Sequence, residues 1–167
     1  MNCILFRHGI AVSCEDWNGP ESERPLTKEG LNKTRKAVEG LYQIEGNLTH
    51  LLSSPFKRAL ETAQILQEVY AFSPKIQVCQ ELLFDHSPTD ILPVLTILPQ
   101  DSCVICVGHE PHLGQLAAHM VSGRNIPGFS LKKAGACAIQ FEEKPRMGQG
   151  GLKWWLPPAQ LRQLRNT

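Results

Sequence analysis

Short apolar runs alternate with longer amphipathic segments along most of the chain. The first run, Asn2-Cys3-Ile4-Leu5-Phe6, is too short and too uniformly apolar for a surface helix. It predicts a buried strand that stops abruptly at Arg7-His8-Gly9. Val12 to Leu26 is a polar loop carrying Glu15, Asp16, Glu21, Glu23 and Arg24. Thr27 reads as a helix N-cap. Leu31, Thr34, Val38, Leu41 and Tyr42 recur at helical spacing, predicting an amphipathic helix over Lys28–Ile44 that Gly46-Asn47 ends. His50–Ser53 predicts a second strand. Ser54-Pro55 then has the form of an N-cap followed by a first-turn proline. The helix it predicts runs to about Tyr70, with Phe56, Ala59, Leu60, Ala63 and Leu66 inward and Arg58 in the first turn.

Beyond this the pattern weakens. Ile76–Cys79 is consistent with a short strand, and Asp90–Leu98 with a short helix after Ser87-Pro88, although Pro93 interrupts it. Cys103–Val107 is apolar on both faces, as a central parallel strand requires. It leads through Gly108-His109-Glu110-Pro111 into a helix over His112–Val121. Ala136–Glu142 and Leu152–Trp155 predict two further strands, with Trp154 and Trp155 read as core and edge packing rather than a docking surface. This alternation predicts a three-layer α/β/α sandwich around a mostly parallel sheet, and its length of 167 residues suits a single domain, 1–167.

Composition narrows the function classes. A net charge of +1 gives no broad electrostatic footprint for nucleic acid or an acidic membrane, so any anion site must be local. No apolar run approaches the roughly 18 residues of a spanning helix, and the chain enters its first strand too soon for a leader. A cytoplasmic monomer is expected. Cys103 and Cys106 form a C-x-x-C pair, but residues three apart in a strand face opposite ways. Cys3, Cys103, Cys106 and Cys137 are therefore read as buried structural thiols rather than zinc ligands.

The candidate chemistry lies at strand ends. In an open α/β sheet the carboxyl ends of the strands face the ligand crevice. There the pattern delivers Arg7 with His8, Arg58 at a helix N-terminus, and His109. Arginines offer bidentate hydrogen bonds and a charge that does not titrate away, which suits a phosphoryl group. An imidazole can be the nucleophile. Each piece has a plainer reading: a chance Arg-His-Gly, a capped helix with a solvated arginine, a hydrogen-bonded turn histidine. Their joint arrangement is what argues for a site. His112 is read as a surface residue at a helix start.

Arg7-His8-Gly9, Ser54-Pro55 with Arg58-Ala59 and Thr62-Ala63, and Gly108-His109 resemble the histidine phosphatase, or phosphoglycerate mutase-like, superfamily. Arg24-Pro25-Leu26-Thr27 with Gly30, and Gly108-His109-Glu110-Pro111, are similar to its small SixA-type branch of phosphohistidine phosphatases. The resemblance implies the phosphoglycerate mutase-like fold, His8 as nucleophile, and a phosphate pocket of Arg7, His8, Arg58 and His109, with Arg24 nearby. It implies no metal and no cofactor. Ile10 stands where this branch often has Asp, and the proton donor stays open among Glu81, Asp85, Asp90 and the Glu15/Asp16 pair. The implied substrate is a phosphohistidine on a partner protein domain, which an open pocket would admit. The alternatives are a small-molecule phosphomonoesterase or mutase, and a catalytically silent phosphohistidine-binding module. A two-step reaction with neutral His8 and protonated His109 would give a pH profile with limbs from both groups.

Overall fold

The computed structural model describes residues 1–71 and 75–165. Its strands β1 (Asn2–Arg7), β2 (His50–Ser53), β3 (Gln77–Val78), β4 (Cys103–Gly108), β5 (Ala136–Gln140) and β6 (Gly151–Leu156) form one sheet in the order β3-β2-β4-β1-β5-β6. Neighbouring pairs are parallel from β3 through β1, and only β5 runs against the rest. β4 is buried at every position because strands flank both its edges and helices cover both its faces.

Alternation along the strands splits the core in two. Ile4, Phe6, Leu51, Ile105 and Val107 face helices α1 (Lys28–Ile44), α2 (Lys57–Val69) and α5 (Pro158–Leu164). Cys3, Leu5, Leu52, Val104 and Cys106 face α3 (Leu92–Thr96) and α4 (His112–Ser122). The result is the expected α/β/α sandwich. Cys103 joins the first core and Cys106 the second, on opposite faces as strand geometry demands. All cysteines are free thiols, and only Cys14 is exposed.

Helix α1 has the expected bounds and cap, with Thr27 Oγ1 accepting from Gly30 N–H. Its buried stripe is narrower than the apolar spacing implies. Leu31 and Tyr42 are 40% and 42% exposed, while Gly30, Thr34, Ala37, Val38, Gly40 and Leu41 are buried. The reason is close approach. A Cβ on Gly40 would lie 1.7 Å from the Leu161 carbonyl of α5, so bare backbone forms the contact. Helix α5, absent from the sequence reading, buries only Leu161 on this seam and leaves little hydrophobic signature.

Helix α2 begins at Lys57 rather than at Ser54-Pro55. Ser54 N–H still donates to Val107 O of β4 at 2.9 Å, so the sheet ladder continues past β2 and delays the helix. The expected Asp90–Leu98 helix divides into a 3-10 turn over Pro88–Ile91, capped reciprocally by Ser87 and Asp90, and then α3. Pro93 falls in the first turn of α3, where no N–H is needed. Trp154 and Trp155 pack against opposite cores. Among the described residues no helix is long and apolar enough to cross a membrane.

Candidate active site

Because β1, β2 and β4 are parallel neighbours, their carboxyl ends reach the same edge of the sheet. Arg7 pairs with Gly108 in register, and His8 N–H donates to Gly108 O at 3.1 Å. This brings His8 and His109 together, with ring centroids 5.1 Å apart. Arg58 enters from the first turn of α2, where free N–H groups and the helix dipole also favour an anion.

The backbone sets the His8 tautomer. Nδ1 lies 2.7 Å from Gly9 O. A carbonyl can only accept, so Nδ1 carries the proton and Nε2 keeps its lone pair. Arg58 Nε–H points at that lone pair from 3.3 Å. Gly9 is held in turn by its N–H on Thr62 Oγ1 at 3.1 Å, and a Cβ there would meet Thr34 Oγ1 at 2.1 Å. Gly9→Ala is accordingly expected to push α1 off the sheet and destabilise the fold by about 1–3 kcal/mol, read as a lower urea midpoint.

The cations are held just as firmly. Arg7 donates from Nη1 to Leu131 O at 2.7 Å. Leu131 N–H donates to Glu110 Oε1 at 2.9 Å, so one residue, Leu131, links Glu110 to Arg7. Arg58 contacts Glu21 twice at 3.1 Å, from Nη1 to the carbonyl and from Nη2 to Oε1. Arg24 lines the cleft, but its three nitrogens are occupied by Glu21 and the Val12 carbonyl at 2.6–2.8 Å. It orients Glu21, which orients Arg58. His109 Nε2 meets Ser54 Oγ at 2.7 Å, and its buried Nδ1 has no hydrogen-bond partner among the described residues.

Burial sets the electrostatics. It is the largest cause lowering His8 to about 3 and His109 to about 2, and the arginine charges lower both further. Both imidazoles are therefore neutral in the free protein. The protonated His109 expected from the sequence is corrected by this burial: a cation beside Arg7 and Arg58 with no carboxylate against it is unfavourable.

These groups line an open cleft of about 690 Å³ that also includes Arg24, Glu21, Phe84, Glu110 and Lys133. Glu15, Asp16, Glu81, Asp85 and Asp90 do not line it. Glu21 is held ionised, its pKa lowered first by the Arg24 hydrogen bond. Burial raises Glu110, yet it accepts backbone N–H bonds from Leu131 and Gly114. Sequence reasoning missed Phe84, Lys133 and the orienting roles of Glu21 and Glu110. Ser54 had a visible motif, but its hydroxyl serves His109 rather than capping α2. His112 is a second correction. Only 1% exposed, it is buried at the start of α4 against the turn bearing Ser87 and Asp90. Among the described residues no group of His, Cys, Asp and Glu could hold a metal ion.

The profile of the histidine phosphatase superfamily (branch 1) matches residues 3–82, which include Arg7, His8 and Arg58. An uncharacterized protein of Picosynechococcus is 33% identical over 142 residues, covering 84% of this chain and 85% of the relative. Phosphohistidine phosphatase SixA of Escherichia coli is 24% identical over 167 residues, covering 99% of each. Among solved structures, the protein histidine phosphatase SixA complexed with tungstate superposes with a TM-score of 0.83 at 24% identity, over 96% of this chain and 99% of that one. A mycobacterial glucosyl-3-phosphoglycerate phosphatase shares the fold with a TM-score of 0.70 at 17% identity, over 93% and 98%. With that profile match and a relative 33% identical over most of both chains, the chain belongs to the histidine phosphatase superfamily.

Proposed function

We propose that the protein hydrolyses phosphohistidine on a partner protein in two steps through phospho-His8. His8 Nε2 attacks phosphorus, the P–N bond to the substrate imidazole breaks, and the departing nitrogen takes a proton from solvent. Water then attacks phospho-His8, breaking its P–N bond and releasing inorganic phosphate. Arg7 and Arg58 bind the equatorial oxygens on which charge develops, and His109 hydrogen-bonds one of them. Arg24 acts behind them by fixing Glu21. The two arginines supply the positive charge, so the route calls for no metal.

The observation that carries this reading is the state of the carboxyl groups in the cleft. Glu21 is held ionised by two arginines, and Glu110 is engaged by backbone N–H groups. Neither is free to protonate a leaving group. An alkoxide needs such a proton, a typical effect of about 10²–10⁴-fold, whereas a protonated imidazole leaves without it. Phe84 supports the same reading. It is 46% exposed at the cleft and forms a wall with Phe56 and His109, at centroid distances of 5.3–6.0 Å. An imidazole can pack against that wall.

The test compares phosphate release from a phosphohistidine-bearing protein domain, from phosphoramidate and from alkyl phosphomonoesters. kcat/KM is expected to favour the P–N substrates by about 10²-fold or more. Phe84→Ala is expected to lose about fivefold on the phosphohistidine domain and less on ringless phosphoramidate. Comparable turnover of alkyl esters would move the function to small molecules. Binding of the domain without turnover would make the protein a silent binding module.

A further inference from the structure

A second cleft of about 380 Å³ adjoins the catalytic one and shares Arg7, Ile10 and Lys133 with it. Lys33 of α1, Arg162 of α5 and Lys132 complete a cationic lining that contains no carboxylate. Lys33 pairs with Glu29 one helical turn away. Among the described residues Lys132, Lys133 and Arg162 form no ion pair with an acidic side chain. In a chain of net charge +1 this concentration is local rather than a reflection of composition.

The lysines stand on a fixed base. Ala134 N–H donates to the carbonyls of Arg7 and His8 at 3.1 Å, and Gly135 N–H to Lys132 O at 2.7 Å. The turn holds Ala134 at a φ of 59°, a conformation alanine adopts only when its surroundings impose it. Lys132 and Lys133 are thus presented beside the end of β1 by the same loop whose Leu131 carbonyl orients Arg7.

We propose, resting on the phosphohistidine reading above, that this cleft is a docking subsite for carboxylate side chains flanking the phosphohistidine of the protein substrate. The catalytic cleft alone already has the size of a small-molecule site. A neighbouring basic cleft on the same rim extends the footprint to a protein surface, and its charge selects an acidic one. Lysines on flexible stems adapt to carboxylates whose spacing varies between partners. The subsite acts on encounter and KM, because of its lining only Arg7, Ile10 and Lys133 also line the catalytic cleft.

The test uses two phosphohistidine peptides of equal length, one flanked by Asp and Glu and one by Asn and Gln. It compares wild type with Lys132→Ala/Arg162→Ala, neither of which lines the catalytic cleft. Wild type is expected to favour the acidic peptide about tenfold in kcat/KM, through KM, with the advantage fading between about 20 mM and about 300 mM salt. The double variant is expected to lose that preference while keeping kcat. Equal kcat/KM for the two peptides in wild type, or a preference that survives in the double variant, would overturn the subsite and leave the phosphohistidine reading standing. A parallel measurement titrates the unphosphorylated acidic peptide by fluorescence anisotropy, which reads the subsite even if the P–N bond is not cleaved. Unchanged affinity in the double variant overturns it. Tighter binding of a small bisphosphate than of the acidic peptide, lost in the same variant, would overturn it in favour of a second phosphate.

Discussion

His8→Ala is expected to lower kcat for phosphate release by about 10⁴-fold or more, because removing a nucleophile abolishes the covalent route rather than weakening it. Anion binding should survive. Arg7 is held by the Leu131 carbonyl, Arg58 by Glu21 and His109 by Ser54, none of which depends on the His8 ring. Inorganic phosphate affinity is therefore expected to change by only a few fold, with the loss falling in kcat. In wild type, rapid mixing with labelled substrate followed by alkaline denaturation, which preserves P–N bonds, should trap one phosphoryl group per chain on His8. Arg58→Ala removes a charge and the donor facing His8 Nε2, and should lower kcat/KM without abolishing the trapped species. Turnover of His8→Ala within tenfold of wild type would remove His8 from the nucleophile's role.

The second large effect is on pH. His8 and His109 have folded pKa values of about 3 and about 2, against an ordinary 6.5. A base whose pKa falls on folding binds more protons when unfolded. Stability is therefore full above pH 6.5 and is lost as pH falls toward the folded values. Between pH 7 and pH 5 each histidine is expected to cost about 2 kcal/mol. Together this lowers Tm by on the order of 10 °C for a chain of this size. His109→Asn should remove about half of that slope, measured by thermal melts at each pH. An unchanged slope would show that burial does not hold the imidazole neutral. Activity follows the same logic: kcat/KM should show no histidine limb between pH 5 and pH 8. Saturating phosphate should raise Tm more at pH 5 than at pH 8, since a bound anion favours the imidazolium.

The local structure was legible where one residue type dictates one geometry. Thr27 had to cap a helix, Cys103–Val107 had to be central, and the strand ends had to carry Arg7, His8 and His109. These follow from periodicity and from the parallel topology it implies. Nearest-neighbour order along the sheet was not legible, nor were the contacts that chain topology alone creates. Ser54 reads as a cap in sequence and serves His109 in space, because β2 lies beside β4 and the ladder extends past the strand.

What the sequence by itself determined is therefore the sandwich, the superfamily and which side chains stand at the strand ends around the cleft. Each rests on patterns within a few residues or on specific motifs. Only the tertiary structure decided how those side chains are held and charged. Glu21 and Glu110, not Glu81, Asp85 or Asp90, reach the cleft, since loop packing rather than chain distance places them. His112 is buried, α5 packs on the bare backbone of Gly40, and both active-site imidazoles are kept neutral. Burial, close approach and the summed field of neighbouring charges are properties of chain segments brought together, and no window of sequence contains them.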